Sequence, residues 1–110
     1  MSDFQDAEFK KLFFEDTDKI LKNFKVDFPL LKSPERQKEA LKNIHRYAHS
    51  LKGLSAAVGF EDIRLISEKF EDSLKEYINK EPLSLPENLT REIDNAFKNI
   101  EQLLSNKKDL

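Results

Sequence analysis

Apolar side chains recur along this chain at spacings of three, four and seven residues, and no segment alternates apolar with polar like a strand. From Asp3 to about Phe28 the set Phe9, Phe13, Ile20 and Phe24 is spaced by four, seven and four, with Phe14, Leu21 and Phe28 widening the stripe. That is the period of a helix with one buried face, and Pro29 is expected to end it. Ser33 is a favourable N-cap, with Pro34 at the first helical position. Ala40, Ile44, Tyr47, Leu51, Leu54 and Val58 then mark a second helix over residues 34–59, closed by Gly59. Ile63, Ile66, Phe70, Leu74 and Tyr77 trace a third helix over 61–79. After the loop Lys80 to Pro86, Leu89, Ile93, Phe97, Ile100 and Leu104 trace a fourth over 87–105. The polar tail Asn106 to Leu110 is expected to fray.

Four amphipathic helices joined by short connections bury their stripes most economically against one another, so an all-α, up-down-up-down four-helix bundle is predicted. At 110 residues the chain is expected to form a single domain spanning 1–110 around one core. Nineteen Lys plus Arg against 21 Asp plus Glu leave a formal charge of −2, which argues against nucleic acid or an acidic membrane as partner. The absence of Cys excludes disulfide scaffolds, thiolate catalysis and cysteine-ligated metals. No apolar run approaches the roughly 20 residues of a membrane span, and the charged stretch Met1 to Lys11 lacks the apolar core of a secretory signal. A cytoplasmic protein without membrane insertion is expected.

The second helix carries the candidate chemistry. Its apolar arc centres near Leu51 and Val58, which puts His49 almost opposite, toward solvent or the bundle rim, and Lys42, His45, Arg46 and Lys52 are expected on the same outer face. Between Glu35 and Gly53 five Lys or Arg stand against two Glu, a net +3 on one helix of an acidic protein, which suits an anion. Gly53, one turn after His49, costs about 1 kcal/mol of helix stability relative to Ala. Side chains lean toward the helix N-terminus, so a larger residue at 53 would tilt over the His49 ring, and glycine leaves that approach open. Ser55, Ala56 and Ala57 are small and are expected to keep the surface flat for docking. His45 and His49 at i, i+4 could be half of a zinc site. However, no Glu follows the first His, and there is neither a third His nor a Cys, so no metal site is predicted. On spacing alone, two solvated histidines on an ordinary bundle remain an equal reading.

The run His49-Ser50-Leu51-Lys52-Gly53-Leu54-Ser55-Ala56-Ala57-Val58-Gly59-Phe60 resembles the signature of histidine-containing phosphotransfer (HPt) domains, H-x-x-K-G followed by a glycine six residues on. Ala48 to Gly53, with Phe13-Phe14-Glu15-Asp16 and Ile20-Leu21, is most similar to the N-terminal phosphotransfer domain of chemotaxis-type histidine kinases. Twelve positions after Gly59 that family usually has Glu or Gln, and here stands Glu71. Leu54 departs from the Gly, Ser or Ala of many relatives and reads as core packing. Glu68 replaces a second histidine found near the site in some chemotaxis kinases.

The resemblance implies a phosphocarrier rather than an autonomous enzyme, with His49 as phosphoacceptor. Glu71 would orient the imidazole by accepting from Nδ1–H, Lys52 would stabilise phosphoryl charge, and Gly53 would give steric access. Docking is expected to use His45, Arg46, Ala56, Ser67 and Glu68, with Leu65 beside them. Implied partners are a response-regulator receiver domain, which brings the phosphorylatable aspartate and Mg²⁺, and a histidine kinase ATP-binding domain. The chain is expected to be monomeric and to hold no cofactor of its own. A stand-alone phosphorelay protein and a domain of a larger kinase fit equally, and an unphosphorylated adaptor that binds a receiver or kinase is the alternative.

Overall fold

A computed structural model describes residues 3–80 and 83–108. Four helices, α1 (Asp3–Asp27), α2 (Gln37–Val58), α3 (Glu61–Ile78) and α4 (Glu87–Lys108), form the predicted all-α up-down-up-down bundle, with α4 closing against both α3 and α1. The molecule is an elongated 52 × 22 × 18 Å. The predicted stripes supply its core: Phe13, Leu21 and Phe24 from α1, Ala40, Ile44 and Leu51 from α2, Ile63, Phe70 and Leu74 from α3. All five predicted positions of α4 are buried. The rings of Phe24 and Phe97 stack at 3.6 Å between centroids, and Phe70 meets Phe97 edge-on at 5.1 Å.

The helix ends differ from the sequence reading in four places. Pro29 ends α1 but not the helical path, which tightens into a 3-10 turn over Phe28–Lys32 that buries Leu31. A proline early in such a turn sacrifices only an amide that would lack a partner anyway. Ser33 does not cap α2 at residue 34. It is extended (φ −93°, ψ 114°), its carbonyl accepts the amides of Arg36 and Gln37, and the regular helix begins at Gln37. The third helix stops at Ile78, one residue short of the expected end. The fourth continues to Lys108 instead of fraying after Ser105, because Lys107 Nζ reaches Asp62 (3.0 Å) and Lys108 Nζ reaches Asp18 (2.8 Å), tying the last turn to α3 and α1. The end of that expected tail, 109–110, and part of the expected loop, 81–82, lie outside the described residues.

Gly59 closes α2 by a mechanism that needs glycine. Its φ of 80° is left-handed, its amide donates to Ala56 O (3.3 Å), and the Phe60 amide donates to Ser55 O (2.9 Å), which is the paired-bond C-cap. The chain reverses there, and Phe60 packs edge-on against Phe13 at 5.2 Å. This tight turn sets α3 along α2 in the most extensive helix pair of the bundle. One core expectation fails: Phe9 is 52 % exposed, at one end of a cleft that it lines with Leu54, Ala57 and Val58 of α2.

Candidate functional site

His49 lies midway along α2, and α3 runs antiparallel beside it, bringing up residue 71. The imidazole side chain is 68 % exposed, and its Nδ1 is 2.9 Å from Glu71 Oε2, whose side chain is only 5 % exposed. The other carboxylate oxygen, Oε1, accepts a hydrogen bond from Lys52 Nζ at 3.0 Å. Burial would raise the Glu71 carboxyl, but the hydrogen bonds and charges of Lys52 and His49 outweigh it and hold it below its ordinary value. Glu71 is therefore ionised at neutral pH and can only accept, so Nδ1 carries the hydrogen of the neutral ring. The lone pair is left on Nε2, at the exposed edge.

His49 also lines a cleft between α1 and α2, with Asp16, Lys19 and Ile20 from α1 and Ser50, Gly53 and Leu54 from α2. Gly53 is exposed, and a Cβ built there meets nothing within 4 Å, so neither packing nor backbone conformation requires this glycine. A second cleft continues along the same two helices past Asp16 and Leu54, to Leu12 and Phe9.

The other residues singled out from the sequence are dispersed. Arg46 is exposed and donates to Asn43 Oδ1 (2.8 Å); Lys42, Ala56 and Ala57 are exposed, and Leu65 is 48 % exposed. Glu68 is half-buried and paired with Arg64 Nη1 at 3.2 Å. Three expectations are corrected. Ser67 is completely buried, on the α3 stripe between Ile63 and Phe70, and cannot meet a docking partner; Ser55 is likewise buried on α2. Their small side chains let the two helices approach, with both Oγ atoms left unpaired. His45 is half-buried rather than on the outer face, and its Nε2 is enclosed without a hydrogen-bond partner. Burial lowers its pKa, the charges of Lys75, His49 and Lys52 add to the effect, and that of Glu71 opposes it.

A polar cluster was missed. Asp27, buried at the end of α1, accepts from Tyr47 Oη (2.5 Å) and Asn43 Nδ2 (3.4 Å) of α2, and burial together with Asp27 pushes the Tyr47 phenol up to about 12. Its signal was a carboxylate three residues after Phe24, on the apolar stripe, where a charge needs partners. Nothing in helical spacing could have flagged Lys19, which joins the cleft only through packing of α1 on α2. Among the described residues no three His, Cys, Asp or Glu side chains are grouped to hold a metal ion. No described helix is long and apolar enough to cross a membrane.

A family model described as "Hpt domain" matches residues 8–107. Comparisons with curated proteins and with solved structures give no match.

Proposed function

The chain belongs to the Hpt domain family, whose members are phosphocarriers in two-component phosphorelays, and from that membership we propose that it carries a phosphoryl group on Nε2 of His49. The observation that supports this most is the Glu71 carboxylate on Nδ1, which leaves a nucleophilic lone pair on the exposed nitrogen. In the proposed transfer that lone pair attacks the phosphorus of a receiver aspartyl phosphate. The Nε2–P bond forms, the P–O bond breaks, and its electron pair leaves with the aspartate carboxylate. The ring becomes a phosphorylated imidazolium whose Nδ1–H remains on Glu71, so the buried carboxylate offsets the charge that appears. Reversal delivers the phosphoryl group back.

Lys52 acts on the reacting ring through Glu71, whose charge it offsets from one helical turn away. Gly53 clears the path of a large partner. The partners of this reading are a response-regulator receiver domain, with its own Mg²⁺, and a histidine kinase ATP-binding domain, in the cytoplasm. Arg46 and Ala56, exposed on α2, and Glu68, half-buried on α3, are the docking residues of this reading. The likeness of Ala48 to Gly53 and Phe13 to Asp16 to chemotaxis kinases favours that branch of the family.

The test is incubation with phosphoramidate and with a panel of phosphorylated receiver and kinase domains, comparing wild type with His49→Gln. An acid-labile, alkali-stable label absent from the variant is expected. Receiver binding without any label would replace the carrier by an adaptor, and label retained in His49→Gln would move the acceptor elsewhere.

A further inference from the structure

Resting on the assignment of His49, we infer that the cation which meets the phosphoryl group is Lys19 of α1. Lys52 is already committed on the other edge of the ring: its ammonium is 3.0 Å from Glu71 Oε1, and the same carboxylate holds Nδ1. A phosphoryl group on Nε2 projects away from Glu71, and His49 lines a cleft whose far wall is α1. Two side chains on that wall carry charge, Asp16 and Lys19, and Lys19 is the cation. It is exposed and forms no ion pair among the described residues, so its ammonium is free to swing on a flexible four-carbon stem. Asp16, one turn away, repels a dianion and makes no ion pair with Lys19 that would have to break first. The phosphorylated state therefore acquires a contact that the resting protein lacks. That contact fastens α1 to α2 across the acceptor, and Lys52 keeps its place on Glu71.

Phosphoramidate loads the full chain without any partner: the Nε2 lone pair forms the new bond to phosphorus, and ammonia leaves with the electrons of the broken P–N bond. Acetylation of lysines by a small acylating reagent, read by mass spectrometry at mildly alkaline pH, then compares loaded with unloaded protein. Lys19 is expected to react about threefold more slowly when His49 is phosphorylated, the scale of one exposed ion pair, while Lys22 is unchanged. At equilibrium with phosphoramidate, Lys19→Met is expected to lower the phosphorylated fraction by a similar factor at low salt. Lys19→Arg should restore it, Asp16→Asn should raise it, and 1 M salt should erase all three differences. Equal acetylation of Lys19 in both states, or a Lys19→Met effect that high salt leaves intact, would overturn the inference. A wild-type chain with no phosphohistidine signal in ³¹P NMR would instead overturn the assignment of His49.

Discussion

Lys52 Nζ lies 3.0 Å from Glu71 Oε1, and the second oxygen of that carboxylate is 2.9 Å from His49 Nδ1, so one buried group is shared by two residues of a single α2 turn. Removing Glu71 takes away both the ring's orientation and the partner of Lys52. Glu71→Ala should slow transfer from a phosphorylated receiver domain by about tenfold or more. Lys52→Ala, which leaves the Nδ1 bond in place, should cost only a fewfold. Because both act through one carboxylate, the double variant should be no slower than Glu71→Ala alone. Labelling rates of the three variants, with far-ultraviolet circular dichroism as the control for folding, decide this; additive losses would separate the two residues.

Gly53 and Gly59 serve different ends, and substitution separates them. A Cβ at 53 meets nothing and the backbone there is ordinary helix, so Gly53→Ala should stabilise the fold by roughly 1 kcal/mol in urea unfolding. If the glycine keeps the approach clear for a macromolecule, the same variant should accept phosphate from a receiver domain more slowly, yet react with phosphoramidate at the wild-type rate. Equal slowing by both donors would locate the effect in the ring itself.

Ser67 was expected among docking residues, but its Oγ is buried without a partner. An unsatisfied buried hydroxyl is a cost that alanine removes without leaving a cavity of consequence. Ser67→Ala should raise stability by about 1 kcal/mol and leave receiver transfer unchanged. A loss of transfer with the fold intact would return Ser67 to the interface.

Leu89, Ile93, Phe97, Ile100 and Leu104 were all recognised because helical period alone decides which face of α4 is buried. Ser67 occupies a stripe position too, four after Ile63 and three before Phe70, but its polarity disguised it. His45 follows Ile44 on the flank of α2 that α3 covers, and a wheel drawn for one helix cannot show its neighbour. The same blindness applied to Lys52. Its position one turn from His49 was legible, whereas its pairing with Glu71 depends on the separation of two helices set by the turn at Gly59.

Enclosure of His45 Nε2 makes the fold sensitive to mild acid. Burial is the main reason its pKa falls below 6.5, so between 6.5 and the lower folded value the unfolded chain binds more protons than the native one. Stability contributed by the neutral ring is intact above pH 6.5 and is lost as pH falls through the folded value. Glu71, also lowered, adds a loss only below 4.5. Urea midpoints should therefore drop between pH 7.5 and 5.5, and less steeply in His45→Leu. Parallel slopes in the two proteins would place the acid sensitivity elsewhere.

Asp27 joins the end of α1 to α2 through Tyr47 and Asn43, fixing how the two helices lie along each other and so where the cleft wall stands opposite His49. Tyr47→Phe keeps the ring in place and deletes one hydroxyl. The buried carboxylate then depends on the longer bond from Asn43, at 3.4 Å, and an under-satisfied buried acceptor costs about 1–3 kcal/mol. Chemical denaturation should show a loss of that size with an unchanged urea slope. Asp27→Asn should lose less, since an amide at the same position still accepts from the phenol with its oxygen. If Tyr47→Phe were as stable as wild type, the cluster would not be what holds α1 in register, and that role would fall to contacts such as Phe24 on Phe97 and Phe13 on Phe60.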